Sequence, residues 1–128
     1  MNIHYKVKTE KTFPEALESI KASLSERGFG VLWELNFKEK LQEKGLAFER
    51  NFKVLEVCNP KQAKEVLDQN IEAGFFLPCK MVVYEEQDSV VLGMVNPTAL
   101  IGLLDDADLS TAAANVETTL KAAIDAAR

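Results

Sequence analysis

The stretch Val54-Leu55-Glu56-Val57-Cys58-Asn59-Pro60 carries a predicted strand directly into a predicted helix. Its apolar residues belong to a strand that is predicted over Phe48 to Cys58. Asn is favoured as a helix-capping residue and Pro at the first helical position, so a helix is expected to begin after Asn59. Val95-Asn96-Pro97 repeats the pattern. Two predicted strands therefore end on the same capping sequence.

Hydrophobic periodicity predicts the remaining elements on either side of this stretch. Apolar runs predict further strands over Ile3 to Val7, Phe29 to Leu35, Cys79 to Glu85 and Val90 to Val95. Apolar stripes and capping residues predict helices over Thr12 to Gly28, Asn36 to Gly45, Asn59 to Gly74, Thr98 to Leu104 and Leu109 to Ala127. In the helix after Asn59, the residues expected to face the core are Ala63, Val66, Leu67 and Ile71. An apolar loop is expected over Phe75 to Pro78.

This order of elements predicts an α+β fold. We expect a two-layer sandwich in which a mainly antiparallel sheet of about five strands is covered by helices, with a ferredoxin-like core and additions. The chain has 128 residues and no low-complexity linker, which favours a single domain over residues 1–128. An open edge of the sheet could pair with a second copy, so a homodimer is also predicted.

The charge pattern argues against two classes of partner. The formal net charge is −5, and basic residues alternate with acidic ones as in Lys38-Glu39-Lys40. Nucleic-acid binding needs clustered Lys and Arg instead, so no nucleic-acid partner is expected. No apolar run approaches the ~20 residues of a membrane span, so no membrane partner is expected. The segment Met1 to Tyr5 lacks the apolar core of a signal peptide, which favours a cytoplasmic location.

Two cysteines, Cys58 and Cys79, are candidates for thiol chemistry. If their strands were parallel, the two residues would lie about 17 Å apart, too far for a bond. If the strands are antiparallel neighbours, the thiols could meet. A thiol protein that binds a soft metal or cycles redox through Cys58 and Cys79 is therefore one functional hypothesis. Buried, unreactive packing is the competing interpretation.

No metal site is predicted, and the cofactor is left open. His4, Met81 and Met94 are the other soft or imidazole donors of note, and their spacing matches no zinc motif. The cluster Asp105, Asp106 and Asp108 lacks the pattern of a calcium loop, and stabilisation of a helix N-terminus explains it better.

Three glutamates inside strand patterns are candidates for a catalytic base. A carboxyl group at Glu34, Glu56 or Glu85 could be desolvated, which would raise its pKa. A small enzyme with Glu56 or Glu85 as the base is a third hypothesis. Each is also explained as a polar residue on an exposed sheet face, and no catalytic residue is assigned.

The leading hypothesis is a binding module for a small anionic or polar molecule. Helix N-termini present free amides and a positive dipole end, which suits an anion. If the two Asn-Pro tips lie on the same side of the sheet, they would frame one pocket. The predicted ligand-binding residues are Cys58, Asn59, Pro60, Pro78, Cys79, Asn96 and Pro97.

Three segments together resemble the domain of unknown function 302 family. They are Val54 to Pro60, Phe76-Leu77-Pro78-Cys79-Lys80-Met81-Val82-Val83-Tyr84-Glu85, and Asn96-Pro97. The combination of Cys-Asn-Pro with Leu-Pro-Cys is the specific part, and the similarity spans nearly the whole chain. The resemblance implies a compact α/β domain of prokaryotic type. It implies no established activity and no agreed catalytic residues.

Overall fold

The fold is built on a five-stranded antiparallel sheet in a computed structural model, which describes residues 2–128. The strand order is β1-β5-β4-β3-β2, and every neighbouring pair is antiparallel. The strands are β1 (His4–Thr9), β2 (Gly30–Asn36), β3 (Phe52–Cys58), β4 (Cys79–Glu86) and β5 (Ser89–Val95). Because β4 lies in the middle, β3 and β5 flank it and run opposite to it.

Two long helices cover one face of the sheet. The helices of the chain are α1 (Phe13–Glu26), α2 (Phe37–Glu43), α3 (Pro60–Gln69), α4 (Pro97–Ile101) and α5 (Ala107–Ala127). Buried apolar residues of α1 and α5 pack against those of β3, β4 and β5 to form the main core. A buried hydrogen bond of 2.7 Å, which Ser23 Oγ donates to the carbonyl of Ala123, joins the two helices. None of the helices described in residues 2–128 has the length and apolar character needed to cross a bilayer.

The α+β sandwich with an antiparallel sheet is confirmed. Strand order is where the ferredoxin-like expectation needs refinement, because β1 and β2 lie at opposite edges of the sheet. Helix α1 therefore crosses the whole sheet between them, and the later strands fill the space in between. Hydrophobic periodicity predicts which segments are strands but not which strands pair, so the strand order could not be predicted from the sequence.

Three predicted boundaries are wrong. The helix predicted over Thr98 to Leu104 ends at Ile101, where a 3₁₀ helix over Gly102–Leu104 follows it. The strand after α2 begins at Phe52, not at Phe48. Asn51 instead fastens this loop to β4, since its amide donates to Glu85 Oε1 at 2.9 Å and its carbonyl accepts from the Glu85 amide. Phe48 packs its ring edge-on against Phe52.

The helix after Asn59 also ends earlier than Gly74. It stops at Gln69, and the Asn70 side chain accepts a hydrogen bond from the Glu72 amide to start a separate 3₁₀ helix, Ile71–Phe76. Ile71, expected in the core, is 76% exposed as a result. The predicted loop at Phe75 and Phe76 is the end of this 3₁₀ helix.

Candidate functional site

The three strand ends singled out in the sequence lie side by side at one end of the sheet. Val57 lies opposite Cys79, and Met81 lies opposite Met94. The end of β3, the start of β4 and the end of β5 are therefore neighbours. Asn59 follows β3 and Asn96 follows β5, the two strands that flank β4. Pro78 lies between them in the sheet order, directly before β4 begins.

The predicted ligand-binding residues do not share one pocket at this end. Cys58, Asn59 and Cys79 line a small cavity of about 40 Å³ between β3, β4, α3 and α5. Pro78, Cys79 and Pro97 line a separate, larger cleft. Pro60 is exposed and lines neither space.

The larger cleft, which we call the β4 cleft, has a volume of about 530 Å³. The 3₁₀ helix Ile71–Phe76 forms one wall, and α4 with the short 3₁₀ helix Gly102–Leu104 forms the other. The start of β4 and the end of β5 form the floor. Its lining residues are Ile3, Glu56, Phe75, Phe76, Leu77, Pro78, Cys79, Lys80, Val95, Pro97, Ala99, Leu100, Ile101 and Leu103.

The apolar lining of the β4 cleft is unusually accessible to solvent. Phe75 is 85% exposed, Leu103 is 74% exposed and Ile3 is 59% exposed. Large apolar residues grouped around a concavity, unlike single ones scattered on a surface, mark binding sites. Sequence periodicity missed this feature because Phe75 and Leu103 belong to short 3₁₀ helices with no apolar stripe.

The two Asn-Pro sequences begin helices in different ways. Asn59 caps α3 as predicted, since its Oδ1 accepts from the Gln62 amide at 3.2 Å. Asn96 makes no capping hydrogen bond. Its Nδ2 instead donates to the Asn2 carbonyl at 3.1 Å, and its Oδ1 is buried and accepts no hydrogen bond within residues 2–128. The cap predicted at Asn96 is therefore wrong.

A glutamate from another helix caps α4 instead. The Thr98 amide donates to Glu117 Oε1 at 3.1 Å, and Thr98 Oγ1 donates to the same oxygen at 2.6 Å. Because this carboxylate already occupies the start of α4, no free amide pair remains there for an anion. Glu117 lies within the long helix α5, and nothing in its sequence context marks it as a cap for a distant helix.

The Glu117 carboxylate is held in its charged form. Burial alone would raise the pKa of Glu117, but the hydrogen bonds from Thr98 and the nearby Lys121 ammonium lower that pKa overall. Glu117 thus fixes one wall of the β4 cleft to the core helix α5 through a charge-assisted hydrogen bond.

The two thiols are free and lie in the same small cavity. Their strands are antiparallel neighbours, which is the arrangement that brings the residues close. Burial raises the pKa of Cys58, and burial together with the proximity of Cys58 raises the pKa of Cys79 to about 11. Both are therefore thiols, not thiolates, at neutral pH, whereas nucleophiles and metal ligands are thiolates.

The other candidate metal-binding residues of the sequence do not form a cluster among the described residues. Within residues 2–128, no three His, Cys, Asp or Glu side chains come together as a candidate metal site. Met81 and Met94 are buried in the core and His4 is exposed. Asp106 caps α5, where its Oδ1 accepts from the amides of Asp108 and Leu109.

Two of the three candidate bases have lowered pKa values, so their expected activation is wrong. Hydrogen bonding and charge from Lys21, with a contribution from Lys53, lower the pKa of Glu34 against the effect of burial. Hydrogen bonding with Asn51 lowers the pKa of Glu85. Glu56 is half-buried at the rim of the β4 cleft, opposite Lys80 on β4.

This sheet, its two covering helices and the cleft at the start of β4 define a small α+β fold. The model of the family "Domain of unknown function DUF302" matches residues 5–127, and the chain belongs to that family. The chain is similar to a solved structure described as the crystal structure of an uncharacterized conserved protein DUF302 from Bacillus stearothermophilus. That structure is 44% identical, with a TM-score of 0.97 over 100% of both chains. A comparison with curated proteins gives no match.

Proposed function

We propose that this protein is a small-molecule binding module whose ligand occupies the β4 cleft. The observation that carries the proposal is the pair of apolar walls, with Phe75 and Leu103 exposed to solvent on opposite sides of one concavity. The volume of about 530 Å³ lies in the range of ordinary ligand clefts. The proposal keeps Pro78, Cys79 and Pro97 as ligand-binding residues.

Apolar contact supplies most of the binding energy in this proposal. Fully burying one large apolar side chain contributes about 1.5–3 kcal/mol. The first amides of the helices contribute less, because the Glu117 carboxylate occupies the Thr98 amide and the Asn59 side chain occupies the Gln62 amide. The anion-binding role predicted for the helix starts therefore gives way to an apolar cleft.

The proposal is tested with N-phenyl-1-naphthylamine, a neutral probe that fluoresces in apolar sites. We expect the wild type to bind the probe and Leu103→Asp to lose most of the binding, because a carboxylate would enter the apolar wall. Leu46→Asp is the matched control, since Leu46 is 56% exposed and lies outside the β4 cleft. Equal binding by both variants, or no binding by the wild type, would overturn the proposal.

We also propose that two copies associate through the edge strand β2. Leu32 is 62% exposed and Trp33 is 50% exposed on this strand. Its only acidic residue, Glu34, is neutralised by Lys21 and Lys53, so two β2 edges meet without charge repulsion. The β-bulge between Val31 and Trp33 interrupts the strand, so the contact uses side chains more than backbone pairing.

The opposite edge of the sheet is unsuited to self-association. Strand β1 carries Lys6 and Lys8, and lysines on an edge strand oppose pairing with another chain. The test of the β2 contact is the molar mass in solution, measured by light scattering. We expect a dimer for the wild type and a folded monomer for Trp33→Lys, with Leu46→Lys as the control. A monomeric wild type, or a dimer that survives Trp33→Lys, would overturn this contact.

A further inference from the structure

A second groove continues the β4 cleft onto the face of the sheet opposite α1 and α5. This groove, which we call the sheet groove, has a volume of about 210 Å³. Lys80 and Val95 line both spaces, so the two are contiguous. The sheet groove is lined by His4, Tyr5, Lys6, Lys80, Val82, Tyr84, Gly93, Met94 and Val95.

A glycine in the middle of β5 keeps the sheet groove open. A Cβ atom at Gly93 would lie 3.2 Å from Lys6 Cβ and 3.2 Å from the Tyr5 carbonyl oxygen. Such distances are closer than ordinary van der Waals contact, so a side chain here would displace Lys6. Gly93 lies between Lys6 on β1 and Val82 on β4, and its missing side chain leaves an apolar floor.

The charged residues that line the sheet groove are both lysines. They are Lys6 and Lys80, and no acidic residue lines the groove. Within residues 2–128, seven of the twelve lysines form no ion pair, and Lys6 and Lys80 are the two of these seven that line the sheet groove. The groove therefore carries two positive charges that no carboxylate of the described residues pairs with.

The single acid near this path lies on its apolar side. Glu56 lines the β4 cleft but not the sheet groove, and it lies opposite Lys80 across the β3–β4 pair. The β4 cleft is therefore mainly apolar, and the sheet groove is basic. Glu56 and Lys80 lie where the two spaces join.

We infer that the ligand is an amphipathic anion, such as a medium-chain carboxylic acid. Its apolar chain occupies the β4 cleft, and its anionic head lies in the sheet groove between Lys6 and Lys80. This inference rests on the proposed binding function and adds the chemical class of the ligand. The lysine ammonium groups act as point charges toward the head group, and the apolar walls hold the chain.

The test compares decanoate with 1-decanol, which has the same chain and no charge, by isothermal titration calorimetry. We expect wild type to bind decanoate more tightly than decanol, and increasing salt to narrow the difference. Exposed ion pairs of this kind correspond to roughly two- to fivefold in affinity each. Lys80→Gln and Lys6→Gln should each weaken decanoate binding by about that factor and leave decanol binding unchanged.

Two further variants sharpen the result. Lys8→Gln is the matched control, because Lys8 lies on the same face of β1 but outside the sheet groove, and its decanoate affinity should equal that of the wild type. Glu56→Gln should strengthen decanoate binding severalfold, because it removes the acid nearest Lys80.

The outcomes separate this inference from the proposed function. Equal affinity for decanoate and decanol with no effect of Lys6→Gln or Lys80→Gln would overturn the anionic class and leave the cleft as a binding site. Tighter binding of decylammonium than of decanoate would also overturn it. If neither decanoate nor decanol binds, the proposed function itself fails.

Discussion

The two sides of strand β4 show opposite uses of apolar surface. Toward α1 and α5, residues such as Met81 and Val83 are at most 1% exposed and pack into a continuous core. At the start of β4, Phe75 and Leu103 are 85% and 74% exposed although they face a common cleft. The first region serves stability, and the second exposes apolar surface around a concavity, which is why we propose it as the binding site.

The largest expected effect is a loss of stability when a leucine is truncated to alanine in the core, compared with the same change in the cleft. Leu120 is fully buried between α5 and the sheet, so Leu120→Ala should lower the free energy of unfolding by about 2–5 kcal/mol. Leu103→Ala removes the same atoms from the exposed wall of the cleft, so it should change the free energy of unfolding by less than about 0.5 kcal/mol. Urea denaturation measures both. A cost at Leu103 equal to that at Leu120 would mean that the cleft is part of the core.

The next effect concerns the reactivity of the buried thiol. A pKa near 11 for Cys79, against an ordinary value of 9.0, makes the thiolate about 100-fold scarcer below pH 9. In the Cys58→Ser variant, which keeps the burial of Cys79 but removes the contribution of Cys58, alkylation of Cys79 by iodoacetamide at pH 8 should still be much slower than that of an unfolded control. The rate should continue to rise with pH beyond pH 9. Fast alkylation at pH 8 would instead support the thiol hypothesis.

The same shift in pKa has a consequence for stability. The folded state holds the Cys79 proton more tightly than the unfolded state, so the unfolded state alone loses it between about pH 9 and pH 11. The contribution of Cys79 to stability is therefore present below pH 9 and is lost as the pH rises through that window. Cys79→Ala should show a smaller loss of stability over the same window.

A smaller effect is expected where the cleft joins the core. Glu117→Gln weakens the bond to Thr98, and loss of a hydrogen bond to a charged group typically costs about 1.5–3 kcal/mol. Because the pKa of Glu117 is lowered in the folded state, its contribution is present above the ordinary carboxyl pKa and is lost as the pH falls. Acid denaturation of the wild type should therefore be steeper than that of Glu117→Gln. Identical acid profiles would contradict this role.

The smallest effect is expected at an exposed ion pair that belongs neither to the core nor to the lining of the β4 cleft. Lys64 and Asp68 form an exposed ion pair on α3, with both side chains more than half accessible. Asp68→Asn should change the free energy of unfolding by no more than about 0.5 kcal/mol. Thermal or urea unfolding checks this value, and a larger loss would show that surface charge contributes more to this fold than the packing of α3 suggests.

The elements with strong local signals were predictable from the sequence. Asn59-Pro60 begins a helix because its capping chemistry is local, and Asp106 caps α5 for the same reason. Asn96-Pro97 has the same two residue types, but the cap of its helix comes from Glu117, which lies 19 residues beyond Thr98. Long-range contacts of this kind leave no pattern in a single sequence.

The candidate site was only partly predictable for the same reason. Pro78 and Cys79, at the start of β4, were predicted as ligand-binding residues from the turn sequence around them. Strand pairing places them in the same cleft as Pro97. The walls at Phe75 and Leu103 were not anticipated, because an exposed apolar residue in a short 3₁₀ helix looks like an ordinary loop residue. Their significance depends on tertiary packing across the cleft.

The most direct test of the binding proposal is an amide correlation spectrum of the nitrogen-15-labelled protein titrated with N-phenyl-1-naphthylamine. We expect saturable shifts confined to amides that line the β4 cleft, such as Phe75, Cys79, Ala99 and Leu103. The amides of Leu46 and Asp68 should stay in place. Shifts centred on any other surface, or a spectrum that the probe leaves unchanged, would contradict the assignment of this cleft as the binding site.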